Sequence, residues 1–130
     1  MTLTPLRRSL LCSAALIGFA SLASCAAAPS YTPFLGAEPG VGEVIAERLP
    51  RTLRLYYAAL PDVDSSEVTL TGPEGDYTLR GLHTMGRDDL MMEIYQPSLT
   101  NGEYTVRWQA VVEGDPQRYE GEYSFEVAIP

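Results

Sequence analysis

The feature that most constrains this chain is an alternation of two residues near its C-terminal end. In Gly102–Val112, GEYTVRWQAVV, the residues Tyr104, Val106, Trp108 and Ala110 fall on one side of an extended strand, and Thr105, Arg107 and Gln109 on the other. In Glu122–Ile129, EYSFEVAI, the residues Tyr123, Phe125, Val127 and Ile129 take one side, and Glu122, Ser124 and Glu126 the other. A period of two has no continuous face on a helix. Such segments need a sheet with one face buried, and Leu53, Leu55 and Tyr57 extend the buried set. Trp108, set among alternating apolar residues, reads as core and not as a ligand-stacking residue.

From Phe34 to Pro130 there is no long amphipathic helical window. Short alternating runs recur instead, bounded by Gly, Pro, Asp and Asn. The runs predict seven strands, near Val41–Ala46, Thr52–Ala58, Glu67–Thr71, Tyr77–Leu82, Leu90–Tyr95, Glu103–Val112 and Glu122–Ile129, with Glu113 to Gln117 as a turn. The fold class is all-β, a sandwich of two sheets.

The N-terminal part reads differently. Arg7 and Arg8 precede an apolar run from Leu10 to Leu22 that ends in small residues, the pattern of a bacterial export signal. The run is too short and too rich in Ser, Gly and Ala for a membrane span, which needs roughly 20 strongly apolar residues. Its end, Leu22-Ala23-Ser24-Cys25, resembles a lipobox, in which Cys25 becomes the acylated first residue. Residues 1–24 are then a lipoprotein signal peptide, 25–33 (CAAAPSYTP) an extended tether, and 34–130 the folded domain. Burial of acyl chains, at about 0.8 kcal/mol per CH₂, would hold the domain at a membrane surface. Ala26, in place of an Asp after Cys25, leans toward the outer membrane and a periplasmic location.

The two cysteines agree with this reading. Cys12 lies in the removable segment, so Cys25 has no intrachain partner and the core must hold the fold without a disulfide. Loss of Arg7 and Arg8 with the signal, which contains no acid, takes the formal charge from −8 to −10. A surface of that sign repels phosphate backbones, and a nucleic-acid partner is excluded. Every one of the nine basic residues is Arg.

Two groups of residues carry a family resemblance. AEPGVGEVIAERLPRTLRLYY places a Pro-x-Gly turn and a short strand before a proline and an alternating apolar strand. LMMEIYQPSLTNGEYTVRWQAVV, followed by GEYSFEV, places an apolar strand before Gly102-x-Tyr104-x-Val106-x-Trp108 and a closing strand. Together these resemble the CopC family of periplasmic copper-resistance proteins over nearly all of Phe34–Pro130. The resemblance implies a Greek-key sandwich, immunoglobulin-like or cupredoxin-like, in an exported copper-binding or copper-handling protein.

It also implies a Cu(II) site made from an N-terminal His and a later Asp-Gly-His motif, and here the pattern departs. Cys25, not His, is the expected first mature residue, and acylation would block its amine. Counting forward from Trp108 sets Gly114, Asp115 and Pro116 against the motif, and counting back from Gly121 sets Asp115, Pro116 and Gln117 there; neither register supplies a His. One carboxylate is a poor Cu(II) site without imidazole or amine donors.

HTMGRDDLMME remains, where the resemblance implies a Met-rich Cu(I) site. His83 is the only histidine, and thioethers with an imidazole suit Cu(I). Strand parity puts Leu90, Met92 and Ile94 on one face and Met91, Glu93 and Tyr95 on the other, so Met92 is core. The candidate copper ligands are His83, Met85 and Met91. The competing reading is a polar hairpin loop with gap-filling methionines and a solvated histidine.

Catalytic patterns are missing from the sequence. No Ser or Cys nucleophile stands beside a His, no His pair has zinc spacing, and no Gly-rich loop suits a phosphate, so the chain does not read as an enzyme. A type 1 copper site would need Cys and two His. The acid pairs Asp62-x-Asp64 and Asp88-Asp89 read as turn and cap residues. Two function classes follow: a lipid-anchored copper-binding protein serving a copper transporter or envelope partner, or a metal-independent interaction domain of an envelope lipoprotein.

Overall fold

The computed structural model describes residues 30–130. The signal segment, Cys12, Cys25, Ala26 and the tether to residue 29 lie outside the described residues. The compact unit runs from Thr32 to Pro130.

Eight strands build it: β1 Phe34–Glu38, β2 Val44–Ile45, β3 Thr52–Tyr57, β4 Glu67–Gly72, β5 Gly75–His83, β6 Asp89–Gln96, β7 Gly102–Val112 and β8 Asp115–Val127. They form one curled sheet in the order β1-β3-β6-β5-β4-β7-β8-β2. The curl folds the sheet into two layers. Strand β5 serves both: Tyr77 pairs with Leu70 of β4, whereas Leu79 and Arg80 pair with Ile94 and Glu93 of β6.

The all-β expectation holds, and the count of seven strands is corrected to eight. The added strand is β1, which pairs antiparallel with β3 through Ala37 and Leu55. Its sequence FLGAE lacks alternation because it is an edge strand with a bulge between Phe34 and Gly36. The expected strand Val41–Ala46 shrinks to Val44–Ile45, since a turn with Gly42 at φ 74° occupies its first half.

The last strand is longer than expected, and the turn at Glu113–Gln117 is corrected. Val112 pairs with Asp115, so only Glu113 and Gly114 turn, with Gly114 at φ 84°. Asp115 to Gln117 already belong to β8. Between the Ala110–Tyr119 and Val112–Asp115 pairs the register is irregular, and Pro116, Gln117 and Arg118 together oppose Val111.

Parity is obeyed where it was clearest. Leu53, Leu55, Tyr57, Leu90, Met92, Tyr104, Val106, Trp108, Ala110, Tyr123, Phe125 and Val127 are all buried. Ile129 lies beyond the end of β8 and is partly buried against this core. Aromatic rings join the layers, with Phe34 stacking 5.3 Å from Trp108 and Tyr57 meeting Trp108 edge-on at 5.4 Å, and within one layer Tyr104 stacks 5.4 Å from its β8 neighbour Phe125. Burial raises the pKa of the Tyr57 and Tyr123 phenols. The Tyr104 hydroxyl donates to the Thr100 carbonyl and accepts the Thr100 N–H, so a phenol in the core stays satisfied while it ties down the loop before β7.

Candidate metal centre

The β5–β6 hairpin acquires its shape from a bulge. Arg80 pairs with Glu93 and His83 with Met91, so Gly81 and Leu82 together oppose Met92. Gly81 has φ 74°, a conformation that L side chains resist, and it fits the glycine form of the bulge. The extra residue resets the parity of β5. Without it Leu82 would share the outer face with Arg80, and His83 would point into the core. With it, Leu82 packs against the core and His83 emerges on the outer face beside Met91.

Directly opposed residues of an antiparallel pair have Cβ atoms about 5 Å apart. That spacing brings an imidazole and a thioether within reach of one ion. His83 is exposed and Met91 partly exposed. The Nδ1 of His83 lies 2.5 Å from the Gly81 carbonyl oxygen, which can only accept, so Nδ1 is the donor and Nε2 is the ring nitrogen left to face an ion. A backbone carbonyl that orients a ring and fixes its tautomer is the usual outer support of a metal-binding histidine.

Met85 is brought to the same hairpin end by a different device. Asp89 is fully buried, and one of its oxygens accepts the Thr84 hydroxyl and the Met85 N–H, each at 2.9 Å, with a longer contact from the Arg87 N–H. The other oxygen accepts Arg54 Nε at 2.8 Å. Burial acts to raise the Asp89 pKa, but the Met85, Thr84, Arg54 and Arg87 donors outweigh it and hold the carboxyl below its ordinary value. The loop from Thr84 to Asp88 is thus wrapped around a buried anion. The Met85 side chain, 57% exposed, is left outside.

The β7–β8 tip is arranged otherwise. Asp115 Oδ1 accepts the Gln117 N–H at 3.0 Å and Oδ2 accepts the Tyr119 hydroxyl at 2.6 Å. These two bonds, the hydroxyl first, lower the Asp115 pKa. Among the described residues no three His, Cys, Asp or Glu side chains gather into a group that could hold a metal. Asp62 accepts the Ser65 hydroxyl at a 3-10 turn, Val63–Ser65, so it serves as the turn residue expected.

His83 and Met91 are therefore brought together, Met85 is held at the same end by its backbone, and Cys25 lies outside the described residues. Three positions that build this end carried no functional reading in the sequence: Gly81, Arg54 and Asp89. Gly81 was detectable, since a glycine inside a strand pattern marks a bulge. Asp89 was not, because nothing in Asp88-Asp89 says which of the two is buried.

The architecture and this hairpin define a class first: a Greek-key sandwich with soft donors set at one hairpin end. The sequence profile of the CopC domain matches residues 34–128, and the chain belongs to the CopC family. Solved structures agree on the fold. PcoC, a methionine-rich copper resistance protein from Escherichia coli, superposes with a TM-score of 0.64 at 20% identity, covering 76% of this chain and 100% of that one. CopC from Methylosinus trichosporium OB3b gives 0.63 at 19% identity, covering 76% of this chain and 95% of that one. No curated protein sequence is significantly similar to the chain.

Proposed function

We propose that this chain is a periplasmic copper-binding protein of the CopC kind, tethered to a membrane through acylated Cys25, that takes Cu(I) at His83, Met85 and Met91. The observation that carries the reading is the bulge-set pairing of His83 with Met91, in which Gly81 holds Nδ1 and leaves Nε2 as the donor. Thioether and imidazole form a soft donor set suited to Cu(I), and the metal bound there would be cargo or a stored ion. Cu(II) is disfavoured, because both oxygens of Asp115 are engaged within the hairpin and no histidine accompanies it. Family membership and the copper-resistance proteins of like fold support the copper reading.

Competitive titration with Cu(I) against a chromophoric chelator tests it. One equivalent should bind, and His83→Ala combined with Met91→Leu should weaken the affinity by at least about a hundredfold, since loss of groups that only support metal ligands already costs about 10–100-fold. Affinity unchanged by that pair would remove the site. Mass spectrometry of the exported protein checks the anchor, with diacylglyceryl mass on Cys25 expected.

A further inference from the structure

At the end of the sandwich where β2 leads into β3, an open groove of about 1090 Å³ runs between the 46–51 connection and the C-terminal half of β6. We propose that this groove docks an extended acidic segment of a partner protein, one whose side chains alternate between carboxylate and apolar. The proposal does not depend on copper binding at the β5–β6 hairpin.

Charge is the first argument. The chain carries 17 acidic and nine basic residues, so its arginines are short of neither partners nor opportunity. Arg54, Arg80 and Arg107 are each paired with a carboxylate, at 2.8, 3.0 and 2.9 Å. Arg118 is held by Gln109 and Ser65. Among the described residues, Arg48 and Arg51, which both line the groove and are both exposed, form no ion pair and no side-chain hydrogen bond. Two acidic residues also line the groove, Glu38 and Glu43, and Glu43 is engaged with the Gly40 N–H at 2.9 Å. Two unused cations thus face one groove on an acidic protein, and a ligand with carboxylates complements them.

The groove's apolar surface and its backbone edge argue for a peptide and against a small anion. Leu49 and Tyr95 line it, 40% and 46% exposed, and Val44 of β2 is 56% exposed close by. Among the described residues, strand β2 ends the sheet order and pairs only with β8, in parallel, which leaves its other edge to take a further strand. An open groove beside a free edge suits an extended chain, whereas small molecules favour enclosed pockets. A bilayer is disfavoured because it offers no backbone N–H and C=O groups to pair with the edge of β2.

Fluorescence anisotropy with the full-length protein tests the proposal, using a labelled ten-residue peptide of alternating glutamate and leucine. The peptide should bind, its affinity should fall as salt rises, and Arg48→Ala with Arg51→Ala should weaken it about tenfold, as two exposed ion pairs allow. A melting temperature equal to wild type confirms that the double variant remains folded. Val44→Pro should weaken binding with the arginines intact, because it disturbs the free edge. Four results would overturn the proposal: no binding of the peptide, equal binding by the double variant, equal binding of a lysine–leucine peptide, or displacement of the peptide by free glutamate or by anionic vesicles at matching carboxylate or phosphate concentration.

Discussion

Two hairpins of this sandwich look alike in topology and differ in what their tips can do. The β7–β8 hairpin closes in two residues, Glu113 and Gly114, and the carboxylate that follows them, Asp115, spends both oxygens on Gln117 and Tyr119 of its own strand. The β5–β6 hairpin closes over Thr84–Asp88, with its carboxylate, Asp89, buried beneath the loop. Where the carboxylate turns inward, the loop's polar backbone groups are satisfied from below and the softer side chains, His83 and Met85, remain outside. Where it stays at the surface it satisfies only itself. The first hairpin is frame, and the second is a platform.

Substitutions can break this contrast from either side. The largest effect should come from the frame: Trp108→Ala removes a buried ring that touches Phe34 and Tyr57, and should cost about 3–5 kcal/mol in denaturant unfolding. Next is the platform's buried anion. Asp89→Asn keeps the shape but faces Arg54 with an amide, and should lower stability by about 3 kcal/mol while loosening Met85 and weakening Cu(I) binding.

The same carboxylate sets an acid limit. Its folded pKa lies below the ordinary 3.8, so its stabilising contribution is complete above that value and is lost as pH falls through the folded pKa. Unfolding of wild type should therefore steepen below about pH 4, and the Asp89→Asn variant should lack that component.

Gly81→Ala sharpens the comparison at smaller cost. The left-handed conformation at Gly81 should cost about 1–2 kcal/mol with a methyl group, and relaxation of the bulge should turn His83 away from Met91. Reduced Cu(I) affinity with the fold retained is the expected pattern. Smallest of all, Asp115→Asn should change stability least among these substitutions, because its bonds lie at the solvent-facing tip of a hairpin, and should leave copper binding as in wild type.

The sequence showed the frame far better than the platform, for a physical reason. Burial on one face of a strand writes a period of two, so Tyr104, Val106, Trp108, Tyr123 and Phe125 could be placed from their spacing alone. Met92 followed from the same parity. An edge strand such as β1 writes no such pattern, and Pro116 with Gly114 disguised the first residues of β8 as turn. At the platform, the candidate residues could be picked out by their chemistry, but their arrangement depends on one inserted residue at Gly81 and on which of two adjacent aspartates is buried. Neither choice leaves a periodic trace.

The proposed seat of copper is the β5–β6 platform. Methionine-methyl NMR tests it most directly, with the 13C-methyl resonances followed as Cu(I) is added. The methyls of Met85 and Met91 should shift together up to one equivalent, while that of Met92, buried on the opposite face of β6, stays in place. Unmoved Met85 and Met91 signals, with copper bound and the backbone of Asp115–Gln117 shifting instead, would contradict the account.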